Sequence, residues 1–97
     1  MSCVLDVDRR LKADILSCPP EVRNQIGADL VALQDDPLPP DRVDLDGPSS
    51  YYHRLPCGYY VSWELIGKTA DIVDLIATRT CRNLTIRILG AGPDSPK

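Results

Sequence analysis

Apolar and polar residues alternate along one stretch of the chain, with Tyr59, Val61, Trp63 and Leu65 on one side and Tyr60, Ser62 and Glu64 on the other. Side chains on a strand alternate in this way, so the pattern predicts a β-strand with one core face and one wet face. Tyr51-Tyr52-His53-Arg54 precedes it across Pro56 and Gly58, which mark a tight turn, and the two segments together read as a β-hairpin. Upstream, Cys3, Leu5 and Val7 share one face of a short predicted strand. Asp8 then stands as an N-cap before Arg9 to Ser17, where Leu11, Ile15 and Leu16 suit a short amphipathic helix. Pro19 stops that helix, and Pro20 with Glu21 opens a longer one whose apolar stripe is Val22, Ile26, Leu30 and Leu33.

The remaining segments are connectors and further extended pieces. Asp35 to Asp41, rich in proline and aspartate, reads as an exposed connector, and Val43 to Gly47 as a short segment laid against the sheet edge before a turn at Pro48-Ser49-Ser50. Ile66 to Thr69 is the next turn. Ala70 to Ala77 is β-rich and nearly continuous in apolar character, as in a strand covered on both faces, although Asp74 would need a cationic partner if buried. Leu84 to Leu89 suits either a final strand or a helical turn, and the Gly/Pro/Ser composition from Gly90 onward reads as a frayed tail. The predicted fold is α+β: an N-terminal strand and helical hairpin packed on a mainly antiparallel four-stranded sheet, with one domain over residues 1–90 and a flexible tail over 91–97.

Size and charge narrow the function classes. At 97 residues the chain is one small domain, and no apolar run approaches the roughly 20 residues that span a bilayer, so no membrane partner is expected. Charges at Asp6, Asp8, Arg9, Arg10 and Lys12 occupy the place of a signal peptide's apolar region, which points to the cytoplasm. Cys3, Cys18, Cys57 and Cys81 form no C-x-x-C pair and are expected as reduced, packed thiols; with a single histidine, His53, neither a metal site nor a cofactor is expected. The formal net charge of −3 hides an asymmetry, because residues 1–49 are acidic whereas residues 50–90 carry Arg54, Lys68, Arg79, Arg82 and Arg87 against only three carboxylates. Arg82 and Arg87 are therefore candidates for contacting RNA or an acidic partner segment.

The succession of motifs resembles the RelE/ParE superfamily of bacterial type II toxins. Leu16-Ser17-Cys18-Pro19-Pro20-Glu21-Val22-Arg23 is similar to that family's "L-x-x-L-P-x-x-v-R" helix junction, Leu33 to Pro37 to its "L-x-x-x-P" helix end, and Leu45-Asp46-Gly47 to its "L-x-G". The hairpin from Tyr51 to Leu65 is similar to its "yyriRvg-yRviYei" strands, and Ile76-Ala77-Thr78-Arg79 to its closing "i-x-h-R". The resemblance implies a partner antitoxin and, for ribosome-dependent members, metal-free cleavage of mRNA in the ribosomal A site; for ParE-like members it implies inhibition of DNA gyrase. It also places Tyr60 where the usual catalytic arginine stands, Leu55 where an RNA-contacting arginine is common, and Thr78 where a histidine or lysine is usual. His53, Arg54, Tyr60 and Arg79 are the remaining candidates for a rearranged catalytic set, with His53 titrating in the range suited to acid–base work.

Overall fold

The computed structural model describes residues 3–46 and 49–96. Gly47 of the "L-x-G" match, Pro48 of the following turn and Lys97 of the tail lie outside them. Strand β1 (Val4–Asp6) leads into α1 (Arg9–Leu16), where the Asp8 carboxylate accepts the Arg10 N–H at 3.1 Å and so caps the helix. Helix α2 (Pro20–Asp35) begins on proline, carries Glu21 in its first turn and ends at Asp36, before Pro37. Then come β2 (Val43–Asp44), β3 (Ser50–Arg54), β4 (Tyr60–Ile66), α3 (Thr69–Thr78) and β5 (Thr85–Gly92).

The five strands form one sheet in the order β1-β5-β4-β3-β2, antiparallel except for the parallel pairing of β1 with β5. Val61, Trp63 and Leu65 of β4 and Ile86 and Ile88 of β5 bury one face of it in a core shared with Ile15 of α1, Ile26 and Leu33 of α2 and Leu75 of α3. Every buried helical residue among those described belongs to this core, so none of the described helices packs on the opposite sheet face. None of the described helices is long and apolar enough to cross a membrane.

Several sequence expectations are corrected. Ala70 to Ala77 is helical, not a strand: Ile72 and Leu75, three residues apart, face the core, while Val73 and Ile76 are 55% and 60% exposed and Asp74 lies in solvent without being buried. β-Branched composition yields here to the demand for one apolar stripe against the sheet. The sheet accordingly gains its fourth and fifth members from the β2 edge and from β5, and β5 runs on through Gly92, which pairs with Tyr60. The Asp35 to Asp41 connector is not wholly exposed: Pro37 and Leu38 are buried, and the Trp63 indole N–H donates to the Pro37 carbonyl at 3.0 Å. Trp63 is the largest side chain in the core, and its polar edge needs that acceptor.

The expected reduced thiols are corrected as well. Cys3 and Cys81 are joined in a disulfide with their Cα atoms 5.5 Å apart, while Cys18 and Cys57 are free. The parallel pairing of β1 with β5 brings the two cysteines together across 78 residues of sequence, a proximity that their spacing does not reveal.

Candidate functional site

Strand register decides what shares the helix-free face. Arg54 pairs with Tyr60, Tyr52 with Ser62 and Ser50 with Glu64, and Glu64 in turn pairs with Arg87 on β5. Directly paired residues point to the same side, so these side chains form one surface. The Tyr52 and Tyr60 rings meet tilted at 53°, with centroids 5.9 Å apart, and the Ser62 hydroxyl donates to the Gly90 carbonyl at 3.4 Å. A small cleft of about 130 Å³ lies beside them, lined by Tyr60, Ser62, Gly90, Asp94 and Pro96. The segment after β5 therefore borders the site through Asp94 and Pro96.

The two arginines of this surface differ in state. Arg54 is exposed and makes no ion pair with any described residue. Arg87 is held between two carboxylates, its Nε 3.3 Å from Asp6 Oδ2 and a terminal nitrogen 3.6 Å from Glu64 Oε1. Their pairing positions on β4, Tyr60 and Glu64, are four residues apart, so the backbones that carry the two arginines are offset by about 13 Å along the strands.

His53 is not on this surface. It pairs with Val61, on the core side of the sheet, and is buried edge-on against the Trp63 ring with centroids 4.9 Å apart. Its Nε2 stands 2.8 Å from Asp29 Oδ2 of α2 and its Nδ1 3.1 Å from Asp41 Oδ1. Burial, the largest single influence, pushes the imidazole pKa down, but the hydrogen bonds and charges of Asp29 and Asp41 together lift it above its ordinary value. Both ring nitrogens face acceptors, an arrangement that only the imidazolium satisfies fully.

Arg79 is likewise elsewhere. It ends α3 in the left-handed conformation (φ 61°), and one guanidinium nitrogen donates to both Asp36 carboxylate oxygens, at 3.0 and 3.2 Å, and to the Leu38 carbonyl at 3.2 Å. It clasps the α2–β2 connector. Arg82, exposed in the loop before β5, forms no ion pair with any described residue and lines a groove with Cys3, Cys81 and Asn83.

Of the four catalytic candidates, then, the fold brings together Arg54 and Tyr60 and sends His53 and Arg79 to structural posts. Among the described residues, what remains on the helix-free face is one unpaired cation, Arg54, the half-buried Tyr60 against the buried Tyr52, and the buried Ser62, flanked by Asp6, Glu64 and Asp94. Such a surface can hold a phosphate through Arg54 and stack a base on Tyr60, but it offers no imidazole for proton transfer and only one cation for a developing charge. Asp29 and Asp41, the partners that define His53, were missed by sequence reasoning. They lie 24 and 12 residues from it, and no local signal links them.

No family model matches the chain, and no curated protein sequence matches it. Solved structures do. The isolated Escherichia coli RelE toxin superposes with a TM-score of 0.69 over 99% of this chain and 88% of its own, at 18% identity. The chain has a RelE-like fold. The intact E. coli RelBE toxin–antitoxin complex matches with a TM-score of 0.69 over 97% of this chain and 99% of the other, also at 18% identity. A mutant RelE bound to a peptide of the antitoxin RelB gives 0.68 over 98% and 86% at the same identity. The RelE-like architecture thus extends over nearly the whole chain.

Proposed function

We propose that this chain is a RelE-like toxin of a type II toxin–antitoxin system, cytoplasmic and neutralised by a cognate antitoxin, that inhibits translation by binding the ribosomal A site and cuts mRNA weakly or not at all. The observation that carries the reading is the RelE-like fold with a helix-free sheet face on which Arg54, Tyr52, Tyr60 and Ser62 converge. The weak chemistry follows from the scatter of the other candidates. Loss of one group that stabilises transition-state charge costs on the order of 10² to 10³ in rate, and here neither His53 nor Arg79 reaches the surface.

Inducible expression with separate readouts of protein synthesis, mRNA cleavage and DNA supercoiling tests it. The expected result is arrested synthesis with little cleavage and unchanged supercoiling, relieved by co-expression of a small antitoxin-like protein where the adjacent reading frame encodes one. Altered supercoiling with intact translation would overturn the reading in favour of a ParE-like gyrase inhibitor, and no effect on either would leave a partner-binding protein without toxin action.

A further inference from the structure

The disulfide lies at the end of the strand whose Asp6 neutralises Arg87. β1 is a three-residue edge strand, held by its ladder to β5, by the Val4 N–H donating to the Leu84 carbonyl at 3.2 Å, by the Gln34 side-chain amide donating to the Cys3 carbonyl at 3.1 Å, and by the bond from Cys3 to Cys81. Val4 is 64% exposed and Asp6 is exposed too, so within the strand only the half-buried Leu5 packs on the core, beside the buried Cys3 that precedes it. A segment with so few contacts opens locally at low cost unless a covalent link restrains it.

We propose that the Cys3–Cys81 disulfide is a reversible redox clamp on β1, and that its reduction by a small thiol withdraws Asp6 from Arg87 and makes the open sheet face more cationic. The second half rests on the reading of that face as a nucleic-acid surface. Cys3 and Cys81 are buried, 4% and 2% exposed, so a thiol reaches their sulfurs only when β1 opens, through the groove of about 630 Å³ that they line with Arg82, whose exposed guanidinium favours an anionic thiol such as a thiol peptide bearing carboxylates. A thiolate attacks one sulfur, the protein S–S bond breaks, and the other cysteine leaves as a thiolate that takes up a proton. A second thiol then displaces the mixed disulfide, so that two thiols are oxidised to one external disulfide while Cys3 and Cys81 are reduced.

Hydrogen exchange and binding of a short single-stranded oligoribonucleotide, each measured on the oxidised and reduced protein, on Cys3→Ser and on Asp6→Asn, test both parts. Reduction and Cys3→Ser should each speed exchange of the β1 and Thr85–Arg87 amides on the order of tenfold, leaving the β3–β4 hairpin unchanged. RNA affinity at low salt should rise about threefold on reduction, and Asp6→Asn should show the same rise while still oxidised. Equal exchange in oxidised and reduced protein would overturn the clamp. Faster exchange with unchanged affinity would overturn the coupling to Arg87. RNA binding by none of the forms would count against the functional reading, with exchange still deciding the clamp.

Discussion

His53 of β3 and Asp29 of α2 meet at 2.8 Å inside the layer between sheet and helices, and Asp41 closes on the other side of the imidazole at 3.1 Å. The bond ties the strand that carries Arg54 to the helix layer behind it. Because the imidazole is buried against Trp63, its charge state is a property of folding rather than of the open surface.

Stability should therefore depend on pH through His53. Its folded pKa is raised, so its contribution is fully present below the unfolded imidazole pKa of about 6.5 and is lost as pH rises through the higher folded value. Denaturant midpoints in wild type should fall between about pH 6 and pH 8, while His53→Gln should flatten that slope. A His53→Gln profile parallel to wild type would remove His53 as the cause.

Trp63→Ala should destabilise by about 3 to 5 kcal/mol, since it empties the centre of the core and orphans the Pro37 carbonyl. Trp63→Phe keeps much of the volume but loses the hydrogen bond, for a smaller loss of about 1 to 2 kcal/mol. Chemical denaturation of the three proteins gives the order directly.

Removing the covalent link should also be costly. For a loop of 78 residues the chain-entropy relation gives roughly 4.5 kcal/mol, so Cys3→Ser should lower the thermal midpoint under oxidising conditions and have little effect when wild type is reduced. Equal midpoints for oxidised and reduced wild type would show that the link does not restrain the unfolded chain.

In a ribosome-bound mRNA cleavage assay, wild type should be weak, and Tyr60→Arg should gain activity because it places a second cation beside Arg54 on the open face. Arg54→Ala should weaken RNA binding and reduce its salt dependence. Arg79→Ala should leave the assay unchanged and cost at most about 1 kcal/mol of stability, its ion pair to Asp36 being half exposed. Robust wild-type cleavage that disappears in Arg79→Ala would overturn the assignment of Arg79 to the connector.

Much of this protein was legible along the chain. The α1–α2 junction at Pro19-Pro20, the hairpin with its alternating faces, and the succession of motifs depend on periodicity, capping and turn residues, all of which act over a few positions. The RelE-like resemblance read from those motifs agrees with the solved structures, which match at 18% identity. Local rules did not decide Ala70 to Ala77, where intrinsic β-preference competed with the need of the core for one helical stripe. Nor could they decide the partners of the charged residues. His53 and Arg79 looked catalytic by type; only the fold placed Asp29, Asp41 and Asp36 against them, and only the parallel pairing of β1 with β5 brought Cys3 to Cys81. Those contacts span 12 to 78 residues, and their energies arise from burial and proximity that no local pattern encodes.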